Sequence, residues 1–451
     1  LGAGMLSGIS AQVSPLQVDT LKETKIPDQW DLQSCIDYAK EQNITIRKNR
    51  ITAVSTQIDV KTAKAAMFPS LSFSTGQQVV NRPYQETSSR VSGSEIISSN
   101  SKTSYNGNYG LNASWTLYNG NKRLKTIQQE KLNNQMAELD VATSENNIQE
   151  SITQVYIQIL YAAESVKVNE NTLQVSIAQR DRGQELLNAG SIAKSDLAQL
   201  EAQVSTDRYQ LVTAQATLED YKLQLKQLLE LDGENEMNIY LPALSDENVL
   251  APLPTKRDVY ISALSLRPEI EASKLNVEAS ELGINIAKSS YFPTISLSAG
   301  IGTNHTSGSD FTFGEQVKNG WNNSIGLSVS VPIFNNRQTK SAVQKAKLQY
   351  ETSMLSLLDE QKALYKTIES LWLDANSAQQ RYAAANEKLK STQISYELIS
   401  EQFNLGMKNT VELLTEKNNL LQAQQEQLQA KYMAILNTQL LKFYQGDQLA
   451  L

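Results

Sequence analysis

Residues 110–132 read GLNASWTLYNGNKRLKTIQQEKL, and residues 326–348 read GLSVSVPIFNNRQTKSAVQKAKL. Each stretch opens on alternating apolar and polar residues, passes an Asn-rich join, and continues at helical spacing. A strand running into a helix, written twice, makes an internal repeat the first fact to establish. Upstream, MFPSLSFSTG at Met67–Gly76 is echoed by YFPTISLSAGIG at Tyr291–Gly302. With Phe68-Pro69 set on Phe292-Pro293, the preceding segments match without a gap. Ile46 meets Ile270, Ile58 meets Leu282, and Ala63-Lys64 meets Ala287-Lys288. The first polar loop is longer than the second. Beyond it Gly110-Leu111 meets Gly326-Leu327, Tyr118-Asn119 meets Phe334-Asn335, and Ala189-Gly190 meets Leu405-Gly406. Identities are few and patterns agree, as in an old duplication held by geometry.

The repeat organises the chain. Residues 1–29 form an N-terminal extension, 30–230 a first structural repeat (helix, β-hairpin, long helix, helix), 231–257 an inter-repeat linker, 258–445 the second repeat, and 446–451 a C-terminal end. The fold class is mainly α with a small β part.

The alternation is two-sided. Tyr105, Tyr109, Leu111, Ala113, Trp115 and Leu117 share one parity; Asn106, Asn108, Asn112, Ser114 and Thr116 share the other. Successive side chains of a strand point to opposite faces, so one face is apolar and the other carries amides and hydroxyls. The second half repeats this, with Ile325, Leu327, Val329, Val331 and Ile333 against Ser324, Ser328 and Ser330. Leu71 and Phe73, then Ile295, Leu297, Ala299 and Ile301, mark the partner strands. Four strands in two hairpins result, each of roughly 9–12 residues, the length that crosses an outer membrane at a tilt. A soluble half-buried sheet gives the same alternation. Two details favour a membrane: the polar face is almost uncharged, and Trp115, Tyr118, Trp321 and Phe334 stand at strand ends, where an aromatic girdle lies. The segments Gln77 to Ser104 and Asn304 to Gly320 are polar and are expected to be loops, on the outer side of such a barrel. Four strands cannot close a barrel, and an open edge in lipid leaves backbone groups unpaired. The membrane reading therefore requires strands from several copies: two copies fill the interior with side chains, three leave an aqueous lumen.

The helical segments are long. Asn121 to Ala189 holds no proline and one glycine, Gly183. Ile148, Ile152, Val155, Ile159, Ala162, Val166 and Leu173 recur at near-heptad spacing, as do Leu364, Ile368, Leu371, Ala375, Ala378, Tyr382, Ala385 and Leu389 within Arg337 to Leu405. This is coiled-coil periodicity with small seam residues. At 1.5 Å per residue each stretch is about 100 Å long. Leu32 to Met67 and Ser191 to Glu230 come to about 55 and 60 Å; Asp258 to Ser290 and Met407 to Tyr444 are their counterparts. Each long helix starts at a strand end and turns back at Gly190 or Gly406. A barrel continuous with a helical tube of this length would cross an outer membrane and much of a periplasm.

Composition narrows the function. The net charge of −7 disfavours nucleic acid as a partner. No apolar run reaches the roughly 18 residues of a membrane-spanning helix, which excludes an inner-membrane bundle but not a β-barrel. Cys35, the single cysteine, lies in a helical pattern and reads as a small core residue. His305, the single histidine, lies in a polar segment, so no Ser-His-Asp or Cys-His arrangement is available elsewhere. No phosphate-cradling glycine loop precedes a helix. The chain does not read as an enzyme, and no metal or cofactor is expected. The opening LGAGMLSGISAQ is small and apolar, as the tail of a secretory signal peptide is.

With the duplicated layout, the Phe-Pro strand starts, the joins LYNGNKR and IFNNRQ, and the glycine turns NAGSIAKSDLAQLEAQ and NLGMKNTVELLTEKNN, the chain resembles the TolC family of outer-membrane efflux channels. The resemblance covers about Trp30 to Tyr444. It implies a homotrimer in the outer membrane of a Gram-negative bacterium, extending into the periplasm. Four strands per chain would build a shared β-barrel in outer-membrane lipid, continuous with a periplasmic α-helical barrel that narrows at the helix turns. The turn tips, Ala189, Gly190, Ser191, Leu405, Gly406 and Met407, would dock a periplasmic adaptor (a membrane fusion protein) and, through it, an inner-membrane pump of RND or ABC type. By the same resemblance, Glu412 would ring the pore constriction. The second acidic ring falls on Thr415, a departure from the family pattern, with Glu416 one position later. Lys408 is the basic residue after the second turn, and Ser195 and Asp196 are the hydroxyl and acidic pair of the first; a Lys408–Asp196 contact between neighbouring tips would be the gate latch. Asp196 also has the position of an ordinary helix-start acid. The linker is expected to pack beside the tunnel with the C-terminal residues, as the family's equatorial region does.

The function implied is a passive exit duct of a tripartite efflux or type I secretion system, opened by adaptor docking, with the substrate set largely by the pump. The alternative is a coiled-coil structural or surface-adhesion protein with no transport role. Lys408 and Glu412 occur only in the second tip, where the first has Ile192 and Asp196. Where the pseudo-symmetry breaks is where a gate is expected.

Overall fold

A computed structural model describes residues 27–84, 88–92, 95–99, 102–232, 237–242, 249–307, 309 and 311–449. The reading of residues 1–29 as a signal remnant lies mostly outside this set. Helices α1 (Leu32–Gln42) and α2 (Ile44–Ala65) lead into strand β1 (Ser70–Asn81). A short hairpin of β2 (Ser88–Ser92) and β3 (Glu95–Ser99) precedes β4 (Thr103–Asn119). Helix α3 (Lys122–Asn188) and its return α4 (Lys194–Leu228) complete the first half. The second half holds α5 (Lys256–Leu266), α6 (Pro268–Ser289), β5 (Thr294–Thr306), α7 (Phe313–Asn319), β6 (Asn322–Ser330), α8 (Gln338–Asn404) and α9 (Thr410–Gln445).

The duplication is visible residue by residue. Helices α3 and α8 each span 67 residues, about 100 Å of continuous helix. Both strand-to-helix joins place two successive residues in the left-handed region: Gly120 and Asn121 at φ 66° and 62°, Asn336 and Arg337 at 49° and 66°. The two shorter stretches expected as single helices are each broken once. Asn43 separates α1 from α2, and its side-chain oxygen accepts from the Thr45 N–H at 2.9 Å. Arg267 separates α5 from α6, because Pro268 disfavours a helical residue before it and fits the first turn of a new helix.

One sheet has the order β1-β4-β5-β6, every pair antiparallel. Its register aligns the two parities into rungs. Leu71, Ala113, Ala299 and Ile325 form one apolar rung, and Trp115, Leu297 and Leu327 the next. Between them run Ser70, Ser114, Ser298 and Gly326, and beyond them Ser72, Asn112, Gly300 and Ser324. A bulge between Thr116 and Tyr118 sets Tyr118 opposite Ile295. The apolar face is uncovered within the chain: Phe73 is 68% and Ile325 84% exposed.

Two expectations need correction here. The segment Gln77 to Ser104 is not simply a loop. Strand β1 continues to Asn81, β4 begins at Thr103 and runs 17 residues, and β2 pairs with β3. Residues of high strand propensity, such as Val79 and Val80 on β1 and Tyr105 on β4, extend the pairing of these two strands beyond the expected hairpin ends. Likewise Asn304 to Gly320 contains α7, started by a capping box. The Thr312 hydroxyl accepts from the Glu315 N–H, and the Glu315 carboxylate accepts from the Thr312 N–H at 2.8 Å.

The chain divides into two compact units, each taking segments from both halves. Of the described residues, one unit holds those up to Ala53, within Ala137–Ala272 and from Leu357 onward; the other holds those within Val54–Met136 and Ser273–Ser356, including the four-stranded sheet. In the first unit a cluster around Trp30, Cys35, Ile36, Ile152, Tyr156, Leu160, Leu225, Tyr382 and Leu436 is sealed from solvent. Each such aliphatic side chain contributes about 1.5–3 kcal/mol by burial. Cys35 sits in that core, as its helical pattern implied. The near-heptad residues Ile152, Ile159, Ala162, Leu364, Ile368, Ala375, Ala378, Tyr382 and Ala385 are all buried. Val249 and Leu449 belong to the same cluster, with Ile239 packed against it and bridged in parallel to Trp30. In the second unit Gln129 donates to the Ala279 carbonyl at 3.0 Å, and the Ser280 and Ser353 hydroxyls meet at 2.7 Å. Small polar side chains thus join its helices where the first unit uses an apolar core.

Among the described residues, no helix is both long and apolar enough to cross a membrane.

Candidate functional site

The two helix turns are built alike. At the end of α3, the Ser191 N–H donates to the Leu186 carbonyl at 2.8 Å and the Gly190 N–H to the Leu187 carbonyl at 2.9 Å. At the end of α8, Met407 donates to Gln402 at 2.8 Å and Gly406 to Phe403 at 2.9 Å. Both are Schellman closures, which need a left-handed residue after the cap. Gly190 and Gly406 both have φ +73°, and no atom lies where a Cβ would stand. The demand for glycine is therefore one of backbone, not of space. Ala189, Gly190, Ser191, Leu405, Gly406 and Met407 are all exposed.

The chain then re-enters helix differently on the two sides. Before α4 stands Ala193, which has no side-chain acceptor, and the Asp196 carboxylate takes the Ala193 N–H at 3.0 Å. Before α9 a full capping box forms: Asn409 accepts from the Glu412 N–H at 2.9 Å, and Glu412 accepts from the Asn409 N–H at 3.2 Å. Lys408 donates to the other Glu412 oxygen at 2.6 Å. The Lys408 hydrogen bond, then the Asn409 N–H, hold the Glu412 carboxyl below the usual carboxylate range. Lys408 and Glu412 are thus brought together within one helical turn, and Asp196 is engaged at its own helix start. Ser195 is exposed beside it. Thr415 is exposed, its hydroxyl donating to the Val411 carbonyl at 2.8 Å. Glu416 turns toward α8, where the Ser395 hydroxyl donates to it at 3.1 Å. Beneath the turns lie Leu197, Leu200, Phe403, Thr410 and Leu413. Gly183 lets α4 approach α3, since a Cβ there would fall 2.5 Å from Leu200 Cδ1.

Sequence reasoning missed one cluster. Asp207 on α4 accepts from the Lys417 ammonium of α9 and the Ser176 hydroxyl of α3, and Lys417 also donates to Ser176. The Gln203 amide donates to the other Asp207 oxygen at 2.9 Å. The side chains of Lys417 and Asp207 are 3% and 1% exposed. Burial lowers the Lys417 pKa, with Asp207 opposing. The signal lay in spacing: Leu413, Lys417 and Leu420, like Leu200, Val204 and Asp207, step by four and three along a buried seam. A charge on such a seam needs a partner.

Residues 35–230 and 259–446 match the model of the outer membrane efflux protein family. The chain belongs to that family. Among curated outer membrane efflux relatives, it is 24% identical to the outer membrane efflux protein BepC of Brucella suis biovar 1 (strain 1330), over 66% of this chain and 62% of BepC. It is also 24% identical to the outer membrane protein TolC of Escherichia coli (strain K12), over 62% of this chain and 58% of TolC. The alignments thus span about three-fifths of these two relatives. The fold extends further: a crystal structure of CusC, reported for its folding and transmembrane channel formation, superposes with a TM-score of 0.78 over 92% of both chains at 18% identity. The fold is that of the TolC-type channels.

Proposed function

We propose that this protein is the outer-membrane exit duct of a tripartite efflux or type I secretion system, with no chemistry of its own. The observation that carries this reading is the open sheet. Strands β1 and β6 are its unpaired edges, and one face is a set of exposed apolar rungs. Four strands leave edge N–H and C=O groups that cost several kcal/mol each in lipid. Three copies supply twelve strands, an even antiparallel barrel with an aqueous lumen lined by the serine and asparagine rungs. Membership of the outer membrane efflux protein family, and relatives that are outer-membrane proteins of Gram-negative bacteria, support the same assembly and location.

In this reading the turn tips meet a periplasmic adaptor coupled to an inner-membrane pump. Leu405, Met407 and Val411 offer that partner exposed apolar surface, 75%, 70% and 58% accessible. Glu412 lines the constriction as an acidic ring, with Glu416 turned toward α8 and Thr415 neutral. The latch between Asp196 and Lys408 of neighbouring tips competes with the Lys408–Glu412 pair. Exposed ion pairs contribute about 0–1 kcal/mol, which suits a contact that must open. The test is conductance of the purified protein in planar bilayers. Cation-selective channels are expected, with selectivity reduced in Glu412→Gln. A protein that purifies as a soluble monomer without detergent would overturn the duct; unchanged selectivity in the variant would overturn the acidic ring.

A further inference from the structure

We propose that Lys417, Asp207 and Ser176 form a buried clamp that fixes the register of α9 against α3 and α4, and so holds the helix ends leading into both turns in one arrangement. The proposal rests on the duct reading for its purpose but on separate residues for its evidence.

The clamp lies close to the turns. Lys417 follows the start of α9 at Thr410 by about two helical turns, and Asp207 follows the start of α4 at Lys194 by between three and four. Three helices meet at one point, because Asp207 receives both the ammonium and the hydroxyl while the ammonium also reaches that hydroxyl. A buried ion pair adds little stability over a well-packed apolar pair. Its best-attested use is to specify register, since any other alignment strands a charge out of water. Sliding α9 by one turn would move Lys417 about 5.4 Å, beyond reach of Asp207. Other polar links between α8 and α9 in this region, exposed Lys388 with Glu426 and half-buried Ser395 with Glu416, are not sealed from water as the Lys417–Asp207 pair is.

The duplication supports a dedicated role. With Gly190 set on Gly406, Lys417 corresponds to Glu201, which is exposed, and Asp207 corresponds to Ala423, which is buried. Ser176 corresponds to Thr392, whose hydroxyl donates to the Lys388 carbonyl of its own helix. The tube-building symmetry does not require the clamp; only one of the two pseudo-equivalent positions has it.

The experiment uses the full chain with nitroxide labels at Glu201→Cys on α4 and Val411→Cys on α9, both exposed, and diluted with unlabelled protein. Cys35 is buried and stays unlabelled. Pulsed dipolar spectroscopy then compares the native pair with two backgrounds. One is the neutral pair Lys417→Met with Asp207→Leu; the other is the charge swap Lys417→Asp with Asp207→Lys. The neutral pair keeps the seam filled and is expected to melt within a few degrees of the parent. The expected result is a second distance population in the neutral pair, displaced by up to one helical turn, about 5.4 Å, and its disappearance in the swap. A single unshifted population in the folded neutral pair overturns the clamp, whatever the conductance. Silent bilayers together with a second population would overturn the duct and leave the clamp standing.

Discussion

At the residue scale, Glu412 does two jobs with one carboxylate: it closes the capping box of α9 and pairs with Lys408. Its depressed pKa means that the folded state favours the deprotonated form. The contribution is therefore present above 4.5, the ordinary value, and is lost as pH falls through the lower folded value. A carboxyl-carbon NMR titration of Glu412 is expected to give a midpoint below 4.5. In Lys408→Met the midpoint is expected to rise, because the Lys408 hydrogen bond, which does most to lower it, is gone. A midpoint unmoved by that substitution would show that the backbone N–H alone holds the carboxylate. The turns around Glu412 were legible because a left-handed cap asks for glycine by name. The buried Lys417–Asp207 pair was not, because a charged residue on a seam announces a partner without saying which of several helices supplies it. Arg267 is a second such case. It reaches Glu150 at 2.7 Å and lies 3.6 Å from the Tyr444 ring centroid, two contacts that each cross more than a hundred positions of sequence.

At the element scale, periodicity marks the long helices and the sheet strands, whereas the short helix is marked only by its cap. The strand parities become rungs in the sheet as far as Ser330, with Val331 and Ile333 beyond the end of β6, and the near-heptad residues form a seam in which Ile148, Val155, Val166, Leu173, Leu371 and Leu389 are half-buried and the others buried. Helix α7 has only seven residues and no buried one, so no apolar stripe marks it. Its sole signature is Thr312-x-x-Glu315, the capping box, and that box should decide whether it forms. Thr312→Ala removes the acceptor for the Glu315 N–H and is expected to cost about 0.5–2 kcal/mol. For so short a helix this is a large share of its local stability. Amide hydrogen exchange at residues 315–319 is expected to quicken by about two- to thirtyfold, with β5 and β6 unaffected. Equal protection in parent and variant would mean that the Gln316 side chain holds the segment instead, through its bonds to the Thr306 N–H and the Phe311 carbonyl. The breaks at Asn43 and Arg267 follow the same lesson: an Asx cap and an X-Pro step each end a helix whose apolar pattern runs on.

At the scale of the whole molecule, the decisive quantity is the strand count. Within one chain β1 and β6 are separated by β4 and β5, so equivalent residues stand three strand spacings apart, about 14 Å. A disulfide requires Cα atoms within about 7 Å. Cysteines on the two edges therefore cannot join within the chain. In a closed barrel of three copies, β6 of each lies beside β1 of the next, and the same cysteines become neighbours. Ser72 on β1, with Ser324 and Ser328 on β6, faces the polar side, so substitution leaves the apolar rungs intact. Cys35 does not interfere, since burial pushes its thiol up to about 12 and it lies in the core. We expect Ser72→Cys combined with a scan of Ser324→Cys and Ser328→Cys to give, on mild oxidation in detergent, a covalent species of three chains for at least one pairing. Because each chain offers one cysteine on each edge, a closed ring stops at three links, whereas an open stack would continue to a ladder. A ladder would contradict the barrel, and the absence of any cross-link across the scan would contradict edge-to-edge pairing. Either result would return the exposed apolar rungs to a sheet that some other surface must cover.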